Sequence, residues 1–117
     1  SCHVTADLAR LRGRYQAINI KLDKTGGLTE ALALRAAARA AGFRIMVGCM
    51  VGSSLGVAPA FLVARGAEFI DLDGPLWLKA DHDDGVRSRD GALQPAVPGF
   101  WGQAAGANGD GVAVGAR

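Results

Sequence analysis

Three short apolar stretches recur at intervals of roughly 25 residues, and each runs into a glycine-containing turn. They cover residues 17–22, 44–49 and 68–73. The chain between the first two, residues 28–41, is rich in alanine and leucine and predicts a helix. Arg35 and Arg39 share one face of it, and Gly42 fits its C-cap. A second helix is predicted from Ser53 or Ser54, either of which could cap it, to about Arg65, with Gly66 as its stop. Pro59 falls early in that helix and is expected to bend it. Strand and helix alternating at this spacing is the signature of βα units, so the sheet is predicted to be parallel. Three strands and two crossover helices amount to about half of an eight-stranded barrel, or a small open sheet.

The flanks read differently. Residues 5–12 predict a short helix with Thr5 as N-cap and Gly13 as stop. After Gly74-Pro75 comes an apolar Leu76-Trp77-Leu78, then an acidic loop with Asp81, His82, Asp83 and Asp84. Residues 86–88 and 92–94 flank Arg89-Asp90-Gly91, a hairpin signal with Asp-Gly at the turn. Pro95 and Pro98 limit any further strand. Residues 102–117 are mostly glycine and alanine and are expected to be a mobile tail, leaving 1–101 as the folded part.

Composition removes several classes of function. A formal charge of +2 with scattered basic residues gives no footprint for nucleic acid. Two cysteines, Cys2 and Cys49, do not make a disulfide scaffold, and no zinc spacing is present. No apolar run is long enough to span a bilayer, and no secretory leader is read at the start, so a cytoplasmic, reduced protein is expected. Ser1 stands where an initiator methionine would, so a processed chain or a piece of a longer one is expected.

Alternation along the first strand puts Ile18, Ile20 and Leu22 on one face and Asn19, Lys21 and Asp23 on the other. Lys21 stands at the carboxyl end, where α/β proteins place ligands. The strand alone leaves two readings: a solvated edge lysine, or a desolvated amine able to accept a proton near neutral pH. Asp71 and Asp73, two apart on the third strand, are expected to share a face with Phe69 below them. Paired carboxylates repel unless a cation or a shared proton lies between them, unless both are solvated at the strand end. The cation could be a metal, a protein lysine or arginine, or a substrate ammonium group. Cys49-Met50-Val51-Gly52-Ser53-Ser54 follows the middle strand and reads as an ordinary βα turn or as backbone N–H donors for an anion. Cys49 reads as a small buried residue. Gly26-Gly27 lacks the rest of any phosphate-loop pattern, and His3 and His82 receive no role.

The set Asn19-Ile20-Lys21-Leu22-Asp23-Lys24-Thr25-Gly26-Gly27, Met46-Val47-Gly48-Cys49-Met50 and Asp71-Leu72-Asp73-Gly74-Pro75 resembles the carboxyl-terminal part of the enolase superfamily. Within its muconate-lactonizing-enzyme subgroup it is most similar to dipeptide epimerases of the L-Ala-D/L-Glu type, over about residues 1–101. The resemblance implies a partial (β/α) barrel: the last three strands of a modified TIM barrel, followed by the hairpin segment. It implies epimerisation at the α-carbon of a dipeptide between two lysines, with Mg2+ stabilising the enediolate. Lys21 matches the second lysine, and Lys24 lies outside the catalytic position. Asp71 and Asp73 match the pair that binds the dipeptide's ammonium group, and Cys49, Met50 and Val51 match the stretch lining the substrate.

The first lysine, the three acidic metal ligands and the capping domain of that family have no counterpart in these residues, so no metal ligand is assigned here. Ser1 looks like the serine of the family's Asp-Glu-Ser. The chain by itself is therefore expected to lack epimerase activity, and to form homo-oligomers or associate through exposed strand edges. N-acylamino acid racemase, o-succinylbenzoate synthase and cycloisomerase chemistry are alternatives within the subgroup, and a non-catalytic truncated chain is another. A small stand-alone βα binding module is a weaker one.

Overall fold

The computed structural model describes residues 3–101. Ser1 and Cys2 lie outside the described residues, as does the 102–117 segment read as a tail. Three parallel strands form the sheet in the order β1 (Ala17–Lys21), β2 (Arg44–Gly48), β3 (Phe69–Asp71). The short helix α1 (Leu8–Leu11) leads in, and α2 (Leu22–Thr25) and α3 (Leu28–Ala40) connect β1 to β2. The helices α4 (Ser54–Val57) and α5 (Ala60–Ala64) connect β2 to β3. A 3-10 turn at Gly74–Trp77 follows, and the chain closes on an antiparallel hairpin, β4 (Arg87–Arg89) with β5 (Ala92–Gln94).

The core lies on one face of the sheet. Ile18, Ile20, Ile45 and Val47 pack there against Ala31, Leu34 and Ala38 of α3 and Ala60, Val63 and Ala64 of α5. The alanines matter because they let a helix approach the sheet closely enough to exclude water. Arg35 and Arg39 fasten the two helices. Arg35 donates to the carbonyls of Leu62 and Val63 at 3.0 and 2.9 Å, and Arg39 donates to that of Gly66. Arg35 thus satisfies orphan carbonyls at the end of α5, and Arg39 holds the turn just after it.

Several sequence expectations change in detail. The helix expected over 53–65 is two helices. Pro59 has no N–H to bond back four residues, and the chain tightens there, with Phe61 N–H on Ala58 O at 3.2 Å and Leu62 N–H on Pro59 O at 3.1 Å. Ser53 is the serine that caps α4, accepting the Gly56 N–H at 3.4 Å. Thr5 is not a cap: it lies in a 3-10 turn (Thr5–Asp7), and its amide and hydroxyl both donate to Glu30 at 3.1 Å, tying the lead-in to α3. The first strand stops at Lys21, so Leu22 opens α2 rather than sharing the strand face. The third strand stops at Asp71, because the chain turns at Asp73 into Gly74-Pro75. The hairpin is as expected: Asp90 and Gly91 take φ of 51° and 76°, the positive values a two-residue turn of this hand requires.

Candidate active site

Register brings the charged residues together. Lys21 is opposite Gly48 on β2, and Gly48 is opposite Asp71 on β3. The three form one row across the carboxyl ends of the sheet, on the face away from α3 and α5. One step toward the strand starts, Asn19, Met46 and Phe69 form the next row. Phe69 therefore lies below Asp71, as alternation predicts, and Arg44 covers its ring at 5.5 Å. Adjacent strands are about 4.8 Å apart, so the backbones of Lys21 and Asp71 stand roughly two strand spacings from each other, with a residue lacking a side chain between them. A Cβ at Gly48 would stand 3.1 Å from Asn19 Oδ1 and 3.4 Å from Lys21 Cε. Glycine here lets both side chains lie against the sheet. Asn19 Oδ1 is buried with no hydrogen-bond partner among the described residues.

Lys21 crosses to the loop after β2. Its Nζ donates to the Cys49 carbonyl at 3.2 Å and lies 3.8 Å from Met50 Sδ. The same loop is held from several sides. Met50 N–H donates to Asp23 Oδ2 at 3.3 Å, and Gly74 N–H donates to Cys49 Sγ at 3.4 Å. Burial raises the Cys49 thiol above its ordinary pKa; the Gly74 amide opposes this, and the carboxylates of Asp73, Asp71 and Asp23 add to it. The thiol thus sits among acids and resists ionisation, which fits the small-residue reading rather than a nucleophile. Met50 and Val51 are exposed beyond it, at 48% and 67%.

Asp71 and Asp73 are not a matched pair on one strand. Asp71 closes β3 and is exposed. Asp73 precedes the 3-10 turn, and its carboxylate accepts the Trp77 indole N–H at 2.9 Å. Among the described residues, no group of three or more His, Cys, Asp or Glu side chains is placed to hold a metal ion.

Four residues given no site role by the sequence shape this site or its loop: Gly48, Asn19, Asp23 and Asp81. Gly48 and Asn19 had a readable signal, a glycine inside a strand facing a polar side chain. Asp23, as a partner of the loop, and Asp81, which binds Ser54 across 27 residues of sequence, had none.

Parallel strands flanked by crossover helices on one side, with charged side chains at their carboxyl ends on the other, define a partial (β/α) barrel. The chain belongs to the enolase C-terminal domain-like family, whose description matches residues 1–101. It is 53% identical over 104 residues to the N-acetyl-D-glutamate racemase of Pseudoalteromonas sp, covering 89% of this chain and 33% of that protein. It is 50% identical over 93 residues to the L-Ala-D/L-Glu epimerase of Escherichia coli (strain K12), covering 80% of this chain and 29% of that protein. A solved structure from Agrobacterium tumefaciens, an enolase family member with homology to dipeptide epimerases, superposes with a TM-score of 0.81 at 62% identity. That match covers 87% of this chain and 31% of the other, which holds sodium and L-Ala-L-Glu with an ordered loop. The chain thus spans about a third of the length of these relatives. Its homologues are racemases and epimerases, that is, isomerases. No helix among the described residues is long and apolar enough to cross a membrane.

Proposed function

We propose that these residues are the carboxyl-terminal part of an epimerase that inverts the α-carbon of a dipeptide of the L-Ala-D/L-Glu type. The observation that carries the reading is the row Lys21–Gly48–Asp71, which sets an amine and a carboxylate on one face at the carboxyl ends of β1 and β3. Lys21 Nζ exchanges the α-proton on one face of the substrate, as one member of a two-lysine pair whose other member belongs to the rest of the protein. Such a group contributes about 10²–10⁴-fold to rate. Asp71 receives the ammonium group of the dipeptide's first residue, with Asp73 beside it. Cys49, Met50 and Val51 line the substrate on this reading, and Met50 and Val51 are exposed.

A metal, Mg2+ by family resemblance, belongs to the same reading. The described residues do not fit it, so its ligands are assigned to the rest of the protein and no step here passes through it. The 117 residues alone are inactive on this reading and associate through the edges of β1 and β3.

A second reading has its own support. The Pseudoalteromonas relative is named for an N-acetylated amino acid, which has no free ammonium, and Asp73 is already occupied by Trp77. Racemisation of N-acylamino acids uses the same lysine but leaves Asp71 without a cation. The deciding experiment assays the protein carrying this chain on L-Ala-L-Glu and on N-acetylglutamate, with and without Asp71→Asn. The dipeptide reading expects KM for the dipeptide to rise about tenfold, one charge-assisted contact, with little change for the N-acetyl substrate. Turnover of N-acetylglutamate alone, or equal effects of the substitution on both, overturns it.

A further inference from the structure

The acidic stretch after the 3-10 turn looks like a solvated loop, yet one member of it turns inward. Asp81 accepts the Ser54 N–H with both carboxylate oxygens, at 3.0 and 3.1 Å, and its Oδ2 also accepts the Ser54 hydroxyl. Ser54 is fully buried, and its Oγ accepts the Val86 N–H at 2.7 Å. Gly85 lies so close that a Cβ there would be 2.3 Å from Ser54 Oγ. The hydroxyl's donor and one of its lone pairs are thus both committed, and no larger residue fits between the two segments.

Ser54 is also where the loop after β2 ends and α4 begins. The other end of that loop is fixed by Lys21 on Cys49 O, by Asp23 on Met50 N–H, and by Gly74, where a Cβ would fall 2.3 Å from Met50 O. Between these anchors Val51 is exposed and Gly52 has open space around it. The path of residues 50–53 is set by its two ends, and Asp81 holds one of them. The strap carrying Asp81 is itself fastened: Val97 N–H donates to Asp84 O at 3.2 Å, and the His82 ring meets Phe100 edge-on at 5.5 Å.

We propose that Asp81 is a positioning residue for the substrate-facing loop, acting through Ser54 to fix the backbone that presents Met50 and Val51. This rests on the reading of that loop as the substrate lining. It places a determinant of substrate affinity in the segment after β3, far in sequence from the loop it controls.

The test compares Asp81→Asn with wild type in the protein carrying this chain, and uses Arg35→Ala as a control that loosens α3 from α5 elsewhere. Asparagine keeps the size but replaces one acceptor oxygen with a donor facing Ser54. Amide exchange at Met50, Ser54 and Val86, and alkylation at Cys49 read peptide by peptide, should rise about tenfold, one charge-assisted bond. Exchange at Ile18 and Ile45 should stay unchanged. KM for L-Ala-L-Glu should rise about tenfold while kcat stays within about threefold, the split expected when binding shared equally by the ground and transition states is lost. Arg35→Ala should show neither local signature.

Unchanged exchange at Ser54 and Val86 overturns the clamp. Raised exchange with unchanged KM overturns the positioning role. An equal fall of kcat and rise of KM in both variants reduces Asp81 to general stability and also overturns it. If the wild-type protein turns over neither substrate, the proposed function fails and the affinity role fails with it, while the exchange measurements still decide whether the clamp exists.

Discussion

The middle strand and the last strand of one sheet meet opposite fates. On β2, Ile45 and Val47 are exposed by 0% and 1%, whereas Ile70 on β3, next to Val47 in register, is 54% exposed. Side-chain chemistry is the same in the two places. β2 has a strand on each side, with α3 and α5 over its apolar face. Among the described residues β3 has a partner on one side only, and the apolar groove of about 570 Å³ beside Ile70, lined also by Phe61, Leu93 and Pro95, is open. Burial is conferred by neighbours rather than by the residue: the apolar face of β2 is covered, and that of β3 is open among the described residues.

That contrast can be broken most directly by core truncation. Ile45→Ala should cost about 2–5 kcal/mol in urea unfolding of the chain, through lost burial and the cavity left behind. Ile70→Ala should stay within about 0.5 kcal/mol of wild type. Equal losses would mean β3 is covered, and the open groove would then have an occupant.

A smaller effect is expected at the seam between the two halves. Gly74→Ala pushes a methyl into the Met50 carbonyl and Cys49 Sγ, so the loop after β2 must shift, at about 1–3 kcal/mol. An unchanged unfolding midpoint would show that the segment after β3 does not press on that loop.

The smallest effect is the response to acid. Backbone N–H donation, chiefly from Ile45 at 2.7 Å, holds Glu68 below its ordinary value of 4.5. Burial pushes Asp81 up, but the Ser54 hydroxyl and amide and the His82 amide outweigh it, and its carboxyl lies below 3.8. A depressed pKa means the folded state favours the charged form. The stabilisation is present above the ordinary carboxylate values and is lost as pH falls through the folded ones. Stability should therefore be flat near neutral pH and decline below about pH 4.5, with a shallower decline in Glu68→Gln. A Glu68→Gln curve parallel to wild type would remove that carboxylate from the acid response.

The parallel sheet, the α3 helix and the Asp-Gly hairpin were legible because each is written locally, in apolar spacing and in turn residues. The same alternation placed Lys21 and Asp71 on one face. What stayed hidden depends on pairs distant in sequence. Nothing near Asp81 distinguishes it from Asp83 and Asp84, because its partner Ser54 is 27 residues away. Asp73 is a local exception: the turn at Gly74-Pro75 ends the strand before it, and its carboxylate accepts the indole N–H of nearby Trp77.

The most direct measurement follows deuterium entering the α-carbon of L-Ala-L-Glu and L-Ala-D-Glu in heavy water, with the protein carrying this chain and its Lys21→Ala variant. If Lys21 is one of two opposed acid–base groups, the variant loses epimerisation by at least about 100-fold. It should still exchange the α-proton of one epimer, through the remaining group, and lose exchange of the other. Epimerisation at the wild-type rate, or exchange retained equally on both epimers, would contradict the assignment of Lys21.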